Sequence, residues 1–184
     1  MTGFLLHLLR HGAPALPGRL LGRTDCAATS EGIAACREQV EGLPFDRLVS
    51  SDLVRCRDTA MAIDRGAIVD PRWRELDFGD WDGLTTVEID PAAMAAFWAD
   101  PDRDPPPGGE SWSALVARVA AAIGALDPVD TLVVTHGGAM RAAVSCLCGF
   151  DQRQTWALDL PYAALLSIRI WPGERPQGQI VGLC

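Results

Sequence analysis

Lysine is absent from the chain: all sixteen basic residues are arginine. That rules out lysine Schiff-base chemistry and the phosphate-loop lysine. Histidine is scarce, at three in 184 residues. No CxxC pair occurs among Cys26, Cys36, Cys56, Cys146, Cys148 and Cys184, so zinc-type spacing is missing and reduced core thiols are expected. No apolar run approaches the roughly 18 residues of a membrane span. Phe4 to Leu9 is too short and too lightly flanked for a secretory signal, which makes the cytoplasm the default location. A net charge of −8 leaves no excess of basic surface for nucleic acid or an anionic membrane.

What is present is ordinary for a globular protein: 48% hydrophobic and 22% charged residues. The length fits one domain over residues 1–184. Residues 4–9 read as a buried strand. Thr29-Ser30-Glu31 opens a helix with Ile33, Cys36, Val40 and Leu43 at helical spacing. Residues 47–50 form a second strand, and Ser50-Ser51-Asp52 supplies N-cap candidates for a helix carrying Leu53, Cys56, Ala60 and Ile63. Residues 67–69 give a third strand, stopped by Asp70-Pro71. An irregular insertion at about 79–111 follows, with Trp81, Trp98, a proline-rich stretch and one short helical window at 92–98. A helix over 113–126, a strand over 131–135, a turn at 136–138, a helix over 139–147 and a strand over 163–171 complete the order.

Strand alternating with helix predicts an α/β fold: three layers, a mostly parallel central sheet and helices on both faces. Ligands in such sheets sit off the carboxyl ends of the strands. The most distinctive residues lie in three turns at such ends: Arg10-His11-Gly12, the segment from Ser50 to Arg55, and Thr135-His136-Gly137-Gly138. Arg10, with Arg55 or Arg57, brings fixed charge in the planar fork that suits phosphate. The turns at Ser50-Ser51 and Gly137-Gly138 each open a helix, whose free N–H groups favour an anion. Adding His11 and His136 suggests covalent phosphoryl transfer, with one imidazole attacking phosphorus and the other stabilising the transferring oxygens. The leaving oxygen needs a proton donor. Glu75 follows the third strand directly, and Asp77, Asp80 and Asp82 compete with it. His7 reads as a core or strand-face residue, Arg57 and Arg141 as surface charges or charges that stand behind the site, and the tryptophans of the middle segment as packing.

Five blocks in order, RHG at 10–12, SSDLVRCRDTA at 50–60, WRELDFGDWDG at 73–83, GGES at 108–111 and THGG at 135–138, resemble the histidine phosphatase superfamily. The resemblance implies a phosphoglycerate mutase-like fold and a phosphohistidine at His11. It implies a phosphate pocket of Arg10, Arg55, His136 and Gly137, and Glu75 as the acid/base. It also implies a small phosphorylated metabolite as substrate and neither metal nor cofactor. GRLLGRTDCAATSEG at 18–32 is similar to a segment of the short phosphatases, including the α-ribazole phosphatases, which draws Gly22 and Thr24 to the pocket. It departs at Ala28, where those proteins usually have leucine. The asparagine that follows RHG in phosphoglycerate mutases is missing, with Ala15-Leu16-Pro17 there instead. The expected activity is therefore hydrolysis of a phosphate monoester, with α-ribazole 5′-phosphate as one candidate. A phosphoglycerate mutase and a non-catalytic binder of phosphorylated ligands are the alternatives.

Overall fold

The computed structural model describes residues 3–171, 173 and 177–184. Strand β1 (Phe4–Arg10) lies inside the sheet, so its residues are apolar on both faces and do not alternate with polar ones. The chain continues through α1 (Ser30–Gln39), β2 (Arg47–Ser50), α2 (Val54–Ile63) and β3 (Ile68–Val69). It then runs through α3 (Pro91–Ala99), α4 (Trp112–Gly124), β4 (Thr131–Thr135) and α5 (Gly137–Cys148). The short α6 (Gln152–Thr155), β5 (Leu165–Trp171) and β6 (Gln177–Leu183) end it.

Among the described residues the sheet has six strands in the order β3-β2-β4-β1-β5-β6. Its first three pairings are parallel, and those of β5 with β1 and β6 are antiparallel. Period-2 alternation divides the core between the two faces. Leu6, Leu8 and Val133 face α4 and α5, while Leu9, Leu132 and Val134 pack with residues of α1 and α2. This is the expected three-layer α/β arrangement. Because β1, β2 and β4 run parallel, with Arg10 level with Thr135, their carboxyl ends meet along one rim.

Several expectations are corrected. Helix α2 is not capped by Ser50-Ser51-Asp52. Leu53 is its N-cap, and the Val54 amide donates across the structure to Asp25 Oδ1 at 2.7 Å. Helix α5 begins at Gly137, two residues before the expected start, because His136 itself is the N-cap. Helix α1 closes at Val40, before Leu43. Strand β6 has no counterpart in the sequence reading, since Gly178 and Gly182 dilute its β signal. In the middle segment α3 extends the predicted window at both ends, starting from an Asp90 cap and Pro91. Two single 3-10 turns, Gly79–Trp81 and Thr86–Glu88, precede it.

Candidate active site

Arg10 and His11 leave the end of β1 at the centre of this rim. The His11 amide donates to Thr135 O at 2.9 Å, which ties the first histidine turn to the last residue of β4. The His11 ring is buried, and its Nδ1 lies 2.8 Å from Gly12 O. A carbonyl can only accept, so Nδ1 carries the proton and Nε2 keeps its lone pair. Arg55 Nε–H donates to that Nε2 at 3.3 Å. Burial, followed by the charge of Arg55, pushes the His11 imidazole down to about 3, against the opposing hydrogen bond to Gly12.

His136 stands edge-on to His11, with ring centroids 5.0 Å apart. Its Nε2 lies 3.0 Å from Ser51 Oγ and 3.3 Å from Cys56 Sγ, so the β2–α2 turn fixes the ring. Burial is the main cause holding it neutral, with Arg55 and His11 adding to the effect.

Arg55 shows no exposed surface, and nearly all its donors are used. Nη1 donates to Thr24 O at 3.0 Å, and Nη2 donates to Leu21 O at 2.6 Å and Gly22 O at 3.3 Å. The Asp82 carboxylate grips the same loop from the other side, accepting from the amides of Gly22, Arg23 and Thr24. Gly22 and Thr24 therefore meet Arg55 through their carbonyls, their own amides being occupied by Asp82. Arg57, the alternative on the same helix, is exposed. Arg10 Nη1 donates to Leu160 O at 2.5 Å, and its guanidinium carbon lies 4.2 Å over the Tyr162 ring. Its Nε is buried with no partner among the described residues.

Glu75 arrives on a segment held from three directions. Trp73 is completely buried and its carbonyl accepts from Thr135 Oγ1 at 2.7 Å. Arg118 Nη2 donates to Glu75 O at 3.2 Å. The carboxylate itself accepts from the amides of Leu76 (2.8 Å) and Gly138 (3.1 Å). It thus rests on the first turn of α5, beside Gly137, whose open Cβ side faces the Arg10 guanidinium at 3.5 Å. Its competitors are engaged elsewhere: Asp77 pairs with Arg23, Asp82 clamps the Gly22 loop, and Asp80 is exposed.

The structure brings His11, His136, Arg10, Arg55, Glu75 and Gly137 together. His7 is not among them. It pairs with Ser167 across β1 and β5, with Nδ1 to Oγ at 2.8 Å. One residue beside the site went unread in the sequence: Tyr162, the only tyrosine, whose ring lies 5.5 Å from that of His11. Cys56 is a core thiol as expected, and its Sγ also meets His136. Arg141 takes the second of its two expected places, buried beside the site and lining a cavity next to Arg10 and Glu75. All six cysteines are unpaired, and Cys184 is exposed, outside any core. Among the described residues no helix is long and apolar enough to cross a membrane.

An anion-binding rim holding two neutral imidazoles and a carboxyl group defines a phosphoryl-transfer protein of the two-histidine kind. The histidine phosphatase superfamily (branch 1) model matches residues 6–179, and the chain belongs to that family. Glucosyl-3-phosphoglycerate phosphatases are similar in sequence and in structure. That of Mycolicibacterium vanbaalenii is 34% identical over 167 residues, covering 78% of this chain and 74% of its own. The solved native structure of a mycobacterial one superposes with a TM-score of 0.84 at 28% identity, with 97% of each chain covered. The adenosylcobalamin/α-ribazole phosphatase of Salmonella typhimurium is 28% identical, with 91% of both chains covered. A 2,3-bisphosphoglycerate-dependent phosphoglycerate mutase of Rhizobium etli is 30% identical, with 90% of both covered. The chain is a phosphatase enzyme of this family, which acts on small phosphorylated substrates.

Proposed function

We propose that the protein hydrolyses a phosphate monoester, without a metal ion, through a phosphohistidine at His11. The observation that carries this reading is the His11 tautomer. With Nδ1–H bonded to Gly12 O, the unprotonated Nε2 meets the guanidinium of Arg55 and faces His136. The His11 Nε2 lone pair attacks phosphorus and the ester P–O bond breaks. The leaving oxygen takes its proton from Glu75. Glu75, now a carboxylate, removes a proton from a water whose oxygen attacks phosphorus as the P–N bond breaks, releasing inorganic phosphate and neutral His11. Arg10, Arg55, His136 and the Gly137 amide at the start of α5 stabilise the equatorial oxygens. Gly22 and Thr24 hold Arg55 in place.

Hydrolysis is favoured over mutase chemistry by the cavity beside Glu75. Its lining is largely aromatic and apolar, from Phe78, Phe97, Trp98, Trp112 and Trp156. Walls of this kind suit a flat, apolar alcohol better than the small polar one of a phosphoglycerate. The flat, apolar base of α-ribazole 5′-phosphate, one candidate substrate, matches the aromatic part of this lining.

Brief reaction with radiolabelled phosphate ester, quenched in base, tests the reading. Acid-labile, base-stable label should map to His11 and vanish in His11→Ala. Label on another residue, or full turnover by His11→Ala, overturns it.

A further inference from the structure

The cavity beside the candidate phosphate pocket has a volume of about 190 Å³. Phe97 and Trp98 at the end of α3 and Trp156 beyond α6 line part of it. Their rings form an edge-to-face series, with centroids 5.1 Å apart for Phe97–Trp98 and 4.6 Å for Trp98–Trp156. Such a wall accepts a flat, apolar body.

One cation interrupts it. Arg141 lies one turn beyond Gly137 on α5, and only 9% of its surface is exposed. Its guanidinium carbon sits 4.2 Å over the Trp156 ring. That stacking fixes the plane of the fork without satisfying its donors, and Nη1 is buried with no hydrogen-bond partner among the described residues. Burial and then the neighbouring Arg10 charge lower its pKa, while Glu75 and Asp159 act in the opposite sense. A buried donor on a cation is costly unless a partner meets it, and a fixed polar group in an apolar pocket is the usual means of orienting a ligand. Guanidinium chemistry selects an oxyanion.

We propose that Arg141 reads a second oxyanion on the alcohol half of the substrate. The substrate class is then a phosphate monoester of a planar, apolar alcohol that bears a further carboxylate or phosphate. This rests on the phosphatase reading above and adds a specificity-determining residue to it. The transferred phosphoryl group sits at the Arg10 end, the flat body lies along the tryptophans, and the second oxyanion meets Nη1.

The test compares kcat/KM of the full-length enzyme on phenyl phosphate, 3- and 4-carboxyphenyl phosphate, phenylene bisphosphate, and the neutral 3- and 4-carbamoylphenyl phosphates. The carbamoyl esters have a similar shape and leaving group but no charge. The wild type should prefer at least one anionic ester over its neutral counterpart by about tenfold to a hundredfold, the range expected of a charge-assisted hydrogen bond. Arg141→Met should bring that ratio close to one, and Arg141→Lys should retain part of it. Which ester is preferred identifies the oxyanion. Equal turnover of charged and neutral esters by the wild type overturns the assignment, and so does Arg141→Met lowering all of them by one factor, as loss of a phosphoryl contact or of packing would. Should Arg141→Met not fold, the wild-type ratio and its change in Arg141→Lys decide the matter. A wild type inert on every ester sinks the phosphatase reading together with this one, whereas turnover without discrimination sinks this one alone.

Discussion

Adding one methyl group to α5 should separate the acid from the rest of the site. A Cβ built at Gly138 would stand 2.0 Å from Glu75 Oε1 and 3.1 Å from its Cδ. Ordinary contact begins at about 3.4 Å, so in Gly138→Ala the carboxylate must retreat by more than about 1 Å and loosen its bond from the Gly138 amide. The only obstacle is the end of a flexible side chain, so the fold survives. Alanine in place of a helical glycine gains roughly 0.5–1 kcal/mol, and the melting temperature should hold or rise. A displacement of that size costs on the order of 10²-fold in rate, or about 2.7 kcal/mol. The loss should fall on esters whose alkoxide leaves badly. Glycerol phosphate turnover should drop about 10²-fold, while p-nitrophenyl phosphate, whose leaving group needs little protonation, should change far less. Glu75→Gln should show the same split, because it removes the proton that Gly138→Ala misplaces. Steady-state kinetics on the two substrates, with thermal unfolding of each variant, measures all of this. Equal losses on both substrates, or none, would refute the assignment of Glu75 as the acid.

Arg55→Ala should cost about 10²-fold or more in turnover, whereas the exposed Arg57 should tolerate alanine with little change; similar losses in two folded variants would overturn the choice. Stability should fall in mild acid. Unfolded histidine titrates near 6.5, while burial holds His11 at about 3 and shifts His136 in the same direction. Below the unfolded value the unfolded chain takes up protons that the folded one refuses, so stability is full above about 6.5 and declines as pH drops towards 3. At pH 5 His11 alone removes about 2 kcal/mol, being 1.36 kcal/mol per unit over about 1.5 units. Urea midpoints at pH 7 and pH 5 should show that loss, and it should shrink in His11→Asn; the same pH dependence in both proteins would exclude the histidine as its origin. Phosphatase activity should survive exhaustive treatment with EDTA, and its loss with recovery on adding Mg²⁺ or Zn²⁺ would remove the metal-independent mechanism.

Much of the catalytic set was readable because it is local in the chain. A strand buried on both faces must read as a continuous apolar run, and the polar residues that end it mark its exit from the sheet. That is why Arg10-His11 and Thr135-His136 stood out at the ends of β1 and β4. The parallel order of those strands then puts both ends on one rim. The resemblance of the 50–60 block to the family's motif distinguished Arg55 from Arg57, and the structure separates them by burial as well.

What the sequence could not decide is whatever depends on contacts between distant segments. Glu75 and its acidic neighbours look alike along the chain. They differ because Arg23 occupies Asp77 and the Gly22 loop occupies Asp82, while the first turn of α5 receives Glu75. Cap residues were sought next to α2, yet Asp25 caps it from 29 positions away. Along the chain Arg141 read equally as a surface charge or as one standing behind the site. It becomes a buried donor because Trp156, at the end of α6, stacks on it, and no local periodicity encodes which segment will cover a given face. The succession of most elements along the chain follows from its own pattern of apolar and polar residues. The protonation, orientation and reach of each site group follow from desolvation and partners supplied by remote segments, which exist only once the chain has folded.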